Sequence, residues 1–276
     1  MSYNLLSGKK GIIFGALDEK SISWAVAKRA HEEGATFVLT NAPIAIRMGN
    51  ISDLAQQCGG ARVIGADATV VSDLENLINQ SMEHLGGKLD FVLHSVGMSL
   101  NVRKKRPYTN LDYDFMHKTM DISAISFHKL LQSLYKADAM VAGGSVLTLS
   151  YMAAQRTFPD YNDMAEAKAM LESITRSFGY HYGIKNRVRV NSISQSPTQT
   201  TAGTGVGGFD SFYEFSDKIS PLGNANAAEC ADYCITLLSD LTRMVTMQNL
   251  FHDGGFSSMG VSHRIMDRLD LLQSAE

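Results

Sequence analysis

Short, almost wholly apolar runs alternate along this chain with amphipathic stretches, and that alternation constrains the fold more than any other feature. The runs are Gly11–Phe14, Thr36–Leu39, Ala61–Gly65, Leu89–His94, Ser145–Leu149, Arg187–Ile193 and Asn249–His252. Between them, Ser21–Glu33, Ile46–Cys58, Ser72–Leu85, Leu111–Ala137, Asn162–Tyr182 and Ala227–Leu238 carry helical periodicity. A strand with one wet face alternates apolar and polar residues, whereas a run apolar throughout is buried on both faces. Such strands separated by helices predict an α/β fold with a parallel, doubly wound sheet of about seven strands and helices on both sides. No long linker, repeat or low-complexity block breaks the rhythm, so one domain over residues 1–276 is expected.

Several function classes are disfavoured by the same reading. A net charge of -3 gives no basic footprint for nucleic acid. No run of 18 apolar residues offers a membrane span. The opening MSYNLLSGKKGIIFG runs directly into a strand and lacks the form of a secretory signal, which sets the expectation of a cytoplasmic protein. Of three cysteines, Cys230 and Cys234 stand four apart in a helical pattern without a partner pair, and no HExxH occurs among the histidines. No metal site is expected.

The ends of the strands carry the ligand signals. Gly11 to Ala35 reads as strand, turn and helix, an arrangement that aims helix N-terminal N–H groups and the positive dipole end at a phosphate. A free GxGxxG is absent: Gly15 is the one glycine of the turn, and Ser21 and Ser23 stand where others would be. The third run closes in GADA, where Asp67 is placed to accept from an adenine amino group, and the fourth ends in HSVG, where Gly97 permits close backbone approach. Together these favour a dinucleotide. At the end of the second run an acid would bind a ribose diol and a base a 2′-phosphate. TNAPIA offers only Asn41, with Arg47 six residues on, and NADH is expected over NADPH.

Two stretches depart from the rhythm. Thr198–Phe215 is rich in Gly and Thr and follows a strand, so a substrate loop or lid over about 198–218 is expected. VSHRIMDRLDLLQS reads as a short amphipathic helix suited to an interface. The run RKKR, Arg103 to Arg106, reads as a surface loop or as a docking point for an anionic partner.

The most informative stretch is FPDYNDMAEAKAMLE. Met164, Ala167, Leu171, Ile174 and Phe178 form a core-facing stripe, and Lys168 lies inside it. Tyr161 is expected on the same helical face: at about 100° per residue the seven-residue gap puts it about 20° from Lys168 around the axis and about 10.5 Å along it. No tyrosine in the chain has a lysine four positions later.

With these motifs the chain resembles the short-chain dehydrogenase/reductases, and among them the enoyl-acyl-carrier-protein reductases of the FabI type. Those carry a tyrosine, six residues and a lysine, with a second tyrosine ten positions earlier; Tyr161, Lys168 and Tyr151 match. The slots four and seventeen before Lys168, which hold tyrosine and serine in ordinary superfamily members, hold Met164 and Tyr151. The Gly15 to Ile22 gap, HSVG, LSYMAAQR, PDYN, RVRVNSIS with Pro197, and HDGGF carry the likeness from Gly8 to about Gly260.

The resemblance implies a Rossmann-like fold and NADH-dependent reduction of the trans-2 double bond of enoyl-acyl-carrier-protein or enoyl-coenzyme A thioesters in fatty-acid elongation. It implies Tyr161 at the thioester oxygen, Lys168 on the nicotinamide ribose and Tyr151 as a second donor or pocket wall. For the cofactor it implies Gly15, Ser21 and Ile22 at the diphosphate turn and Asp67 and Ala68 at adenine. Ser95, Val96 and Gly97 would lie along ribose and nicotinamide, with Thr198 at the carboxamide and Thr200 at the diphosphate. It also implies a homotetramer, to which Phe127, Leu130, Leu131 and Leu134 would contribute unless they face the sheet. Two rivals stay open: a 3-oxoacyl reductase of the same superfamily, against which the missing four-residue pair speaks, and a non-catalytic dinucleotide-binding regulator, which would have no use for Lys168 and both tyrosines.

Overall fold

The structure, a computed structural model, describes residues 2–201, 203 and 209–273. Its strands are β1 (Lys10–Phe14), β2 (Thr36–Asn41), β3 (Arg62–Gly65), β4 (Leu89–His94), β5 (Met140–Ser150), β6 (Arg189–Gln195) and β7 (Asn249–His252). All pair in parallel in the order β3-β2-β1-β4-β5-β6-β7. The helices are α1 (Ile22–Glu32), α2 (Pro43–Met48), α3 (Ile51–Gln57), α4 (Val71–Leu85), α5 (Leu100–Arg103), α6 (Tyr113–Met120), α7 (Ser126–Lys136), α8 (Asp163–Asn186), α9 (Phe209–Ile219), α10 (Ala227–Leu238) and α11 (His263–Gln273).

Side-chain alternation along the strands divides the core between the two faces. Ile13, Phe37, Leu39, Phe91, Leu93 and Leu147 pack with α1, α3 and α10 through residues such as Trp24, Leu54 and Ile235. Ile12, Phe14, Val38, Val92 and Val146 point the other way, onto Leu77 of α4, Leu131 of α7 and Leu171 of α8. The central strands are thus covered on both faces, which is why their runs lack polar alternation, whereas the edge strands β3 and β7 keep exposed positions at Arg62 and Phe251. Phe127, Leu130, Leu131 and Leu134 are fully buried in this second cluster and serve the sheet, not an interface.

Several elements differ from the sequence expectation. Residues 111–137 are not one helix: α6 and α7 are joined by a π-helical turn at Asp121–Ile125. Residues 46–58 divide into α2 and α3, because Gly49 adopts an extended conformation between them. Strand β5 begins five residues early, at Met140, with Gly143 and Gly144 crossing a register shift against β4. Helix α8 runs on through Gly183 to Asn186 and stops at Arg187 in the left-handed conformation. Part of the expected lid, residues 202 and 204–208, lies outside the described residues; its later half is α9. The C-terminal amphipathic helix is α11, which packs on α9 with an Arg268–Glu214 ion pair of 2.5 Å and a bond from Ser262 Oγ to Lys218 O.

The strand order reverses beside β1, so the connections leaving β1 and β4 diverge and open a crevice at the carboxyl ends of the strands. Gly15 makes the crevice possible. It has φ +93°, and a Cβ there would stand 1.9 Å from the Ser95 carbonyl oxygen.

Candidate active site

A cleft of about 700 Å³ occupies this crevice, within the usual size of small-molecule and cofactor sites, about 300–1,000 Å³. Every residue that the resemblance assigns to the site lines it: Gly15, Ser21, Ile22, Asp67, Ala68, Ser95, Val96, Gly97, Tyr151, Tyr161, Lys168, Thr198 and Thr200. The sequence separates these by up to 185 positions, Gly15 to Thr200; the doubly wound sheet brings them to one edge.

At one end lies the N-terminus of α1. Ser21 is its N-cap but leaves the helix N–H groups uncapped, because its hydroxyl donates to Asp18 O at 2.7 Å. No acidic residue occupies the first turn of α1. The open N–H groups and uncompensated dipole suit a phosphate. Beyond it, Asp67 uses one carboxylate oxygen on Thr69 N and Thr69 Oγ1, at 2.9 and 2.7 Å, which fixes the orientation of its carboxylate. Asn41 is not available in the same way: its amide bonds Ala16 O and Ala42 N at 3.0 and 2.9 Å. Arg47 is exposed on α2 and does not line the cleft. Thr198 Oγ1 bonds Ser196 O, while Thr200 Oγ1 accepts from Gly203 N at 2.9 Å.

At the other end stand two phenols and an amine. Tyr151 follows β5 directly, and its ring centroid lies 5.0 Å from that of Tyr161. The Tyr151 hydroxyl is buried and makes no hydrogen bond among the described residues. Burial raises the pKa of both phenols, so each is a neutral O–H donor. Lys168, 7% exposed, donates from Nζ to Leu149 O at 2.7 Å. Burial lowers its pKa to about 8, against the pull of Glu172 one turn on. That carboxylate is held by Ser150 Oγ at 2.7 Å and Gln155 Nε2 at 2.9 Å. Gly97 forms the floor: a Cβ there would come within 3.1 Å of Met164 Cε and 3.7 Å of Lys168 Nζ.

The helical extrapolation to Tyr161 does not hold. Helix α8 begins at Asp163, and Asn162 before it has φ 45° and ψ -138°, so Tyr161 sits in a turn outside the helix. The pair still shares the cleft, but through this turn and not through helical phase.

Sequence reasoning also missed part of the lining. Phe158 and Phe212 are stacked edge to face at 5.1 Å, and with Phe209 they give the cleft an aromatic side next to Tyr151. Ile122 enters from the π-helical turn. Phe209 and Phe212 recur at helical spacing after a glycine-rich run, a signal that was present but masked by its neighbours.

The residues fit a dinucleotide: an open helix terminus for phosphate, a flat glycine floor beside Lys168, and an unpartnered phenol. Known proteins agree. Residues 15–257 match the family model described as Enoyl-(Acyl carrier protein) reductase. The chain belongs to that family. The chain is 33% identical to enoyl-[acyl-carrier-protein] reductase [NADH] 1 of Rhizobium meliloti, over 93% of each chain. It is 32% identical to the NADH enzyme FabI of Aquifex aeolicus, over 94% of this chain and 95% of that one. A crystal structure of the FabI–NADH complex of Alistipes finegoldii superposes with a TM-score of 0.93 at 64% identity, covering 95% of this chain and 92% of that one. Tyr151, Tyr161 and Lys168 bring two phenols and an amine together at one end of the cleft.

Proposed function

We propose that this chain is an NADH-dependent reductase of the trans-2 double bond in enoyl-acyl-carrier-protein thioesters, acting in fatty-acid elongation. The observation that carries the reading is the displaced tyrosine: Tyr161 stands off the helix, ring to ring with Tyr151, while Met164 occupies the position nearer Lys168. A carbonyl reductase protonates the oxygen on the carbon that receives hydride, whereas an enoyl reductase must hold an oxygen two carbons away. A phenol set back from the lysine suits the second task.

NADH supplies the hydride to the substrate β-carbon when bound. The negative charge that develops on the thioester oxygen needs a donor aimed at it, and the neutral Tyr161 hydroxyl is that donor. Tyr151 stands beside it as a second O–H with no protein acceptor to satisfy. Lys168, anchored to Leu149 O, keeps further N–H donors for the ribose hydroxyls and places positive charge near the reaction. Gly15, Ser21, Ile22 and Thr200 would hold the diphosphate, Asp67 and Ala68 the adenine, and Ser95, Val96, Gly97 and Thr198 the nicotinamide half. The aromatic side formed by Phe158, Phe209 and Phe212 excludes water and suits an acyl chain.

The reading extends to the whole molecule. The chain acts as one dinucleotide-binding reductase domain, with about 198–218 as its substrate segment, and works in the cytoplasm. It assembles as a homotetramer, for which the exposed Met170, Tyr180 and Ile184 of α8 offer apolar surface. Light scattering of the purified protein tests the assembly. The function is tested by following NADH oxidation with a trans-2-enoyl thioester and, separately, a 3-oxoacyl thioester. Turnover of the first alone is expected; turnover of the 3-oxoacyl substrate alone would overturn the reading.

A further inference from the structure

We infer that Asn162 is a positioning residue, whose strained turn sets the Tyr161 hydroxyl for reaction; the inference rests on the reading of Tyr161 above. Met164 N donates to Tyr161 O at 3.1 Å, which closes a four-residue turn over Tyr161, Asn162, Asp163 and Met164. Asn162 holds its second position at φ 45° and ψ -138°. That is close to the type II′ geometry, where glycine is favoured and a side chain is disfavoured.

Nothing about starting a helix requires this conformation, and the same chain shows the ordinary solution. Asn226 caps α10 from φ -83° and ψ 177°, and its side-chain oxygen accepts from Ala228 N and Glu229 N. Asn162 occupies the equivalent place before α8 yet caps nothing. Its amide instead donates away from the helix, to Arg106 O at 2.7 Å, from a residue only 4% exposed. Two asparagines at two helix starts therefore do different work: one completes a helix and the other holds a turn.

The next residue holds the same turn from its other side. Asp163 is fully buried and accepts from Ser99 Oγ at 2.6 Å and Asn101 Nδ2 at 2.8 Å. Ser99 in turn accepts from Val102 N at 3.0 Å, capping α5. The turn that carries Tyr161 is thereby fastened at Asn162 and Asp163 to the segment 99–106, whose Ser99, Val102 and Arg103 line the cleft. Tyr161 packs ring to ring on Tyr151 at 5.0 Å, and its aim follows from the backbone turn beneath it. Small displacements of such a donor are costly to rate.

The test is a set of four purified proteins: wild type, Tyr161→Phe, Asn162→Ala and Asn162→Gly. Each is assayed for NADH binding and for kcat and KM with a trans-2-enoyl coenzyme A thioester. Alanine loses the bond to Arg106 and opposes positive φ; glycine loses the same bond but accepts the turn. The expected result is a fall in kcat of about tenfold or more for Asn162→Ala, with NADH Kd and KM within about twofold, and recovery of most of the loss in Asn162→Gly. A purely structural role would not separate alanine from glycine in kcat alone. Asn162→Ala at the wild-type rate while Tyr161→Phe is slow would overturn this inference only. Glycine as slow as alanine would overturn it too, and Tyr161→Phe at the wild-type rate would remove the reading on which it rests.

Discussion

Two polar clusters lie buried at the carboxyl ends of the neighbouring strands β4 and β5, and they differ in whether their hydrogen bonds are complete. His94 ends β4 opposite Thr148 of β5, with Nδ1 3.3 Å from Thr148 Oγ1 and Nε2 3.0 Å from Ser126 Oγ. Ser126 gives its own proton to Ile122 O at 2.6 Å, so it accepts from His94, and the network assigns the proton to Nε2. Burial, aided by Lys168, depresses the His94 pKa to about 3, which keeps the ring neutral. One residue along β5, Leu149 O receives Lys168, but there the closure stops: the Tyr151 hydroxyl has no partner. Burial with every group paired builds architecture. Burial with donors to spare marks a place for a ligand.

The largest effect expected from this contrast follows removal of the open donor nearest the chemistry. Tyr161→Phe should lower kcat by about 10²–10³, the usual loss for one donor to a developing oxyanion, while NADH binding stays near wild type. Steady-state kinetics beside a fluorescence titration of NADH check this. Equal losses in binding and turnover would place Tyr161 on the cofactor instead.

How much of this contrast was legible in the sequence depends on distance along the chain. The strands were readable because cover on both faces leaves an apolar run, and Lys168 was conspicuous inside an apolar stripe. The π-helical turn was not, because one extra residue per turn leaves the apolar recurrence of residues 111–137 almost intact. Nor was the closed cluster: His94, Ser126 and Thr148 come from three elements, and nothing in the composition of any one announces the others. Tyr161 reaches the cleft by a turn and not by the helical phase its spacing implies, since the conformation of Asn162 depends on Arg106 and hence on tertiary structure.

Lys168 is the next place to press, because it is buried like His94 but titrates within working range. Its pKa of about 8 lies below the ordinary 10.5, so the unfolded chain holds more protons between those values. Stability therefore rises with pH across that window, and the burial penalty is in full force below about 8. Lys168→Met should relieve that penalty, with a melting-temperature gain at pH 7 that shrinks towards pH 10. It should also weaken NADH binding by about 10–100-fold, the loss of a charge-assisted hydrogen bond. In the wild type, NADH Kd should increase as pH climbs past about 8, and Lys168→Met should remove that dependence. A wild-type Kd flat from pH 7 to 10 would argue against ribose binding by the ammonium.

A matched pair of hydroxyl deletions sharpens the comparison through stability. Ser126→Ala leaves the His94 N–H unpaired in the core and should cost about 1–3 kcal/mol. Its kcat and KM should stay within about threefold of wild type. Tyr151→Phe removes a hydroxyl that bonds nothing in the protein, so denaturant melts should show little or no loss, while turnover falls. If Tyr151→Phe were the more destabilising of the two, the open cluster would be structural after all.

The smallest effect is expected where charge is fully exposed. Arg103, Lys104 and Lys105 are exposed at the rim, Arg103 lines the cleft, and Lys104 lies 4.4 Å over the Phe115 ring. Across the cleft α9 is acidic at Asp210, Glu214 and Asp217, so the rim offers an anionic partner one favourable side. Reversing Arg103 and Lys105 to Glu should raise KM for a carrier-linked enoyl substrate by about three- to tenfold at low salt, and the difference should shrink near 0.15 M salt, where the screening length is about 8 Å. Coenzyme A is anionic too, so its thioester is the control. A larger rise for the carrier-linked substrate assigns the rim to the carrier protein, whereas equal rises would assign it to the phosphates that both substrates share.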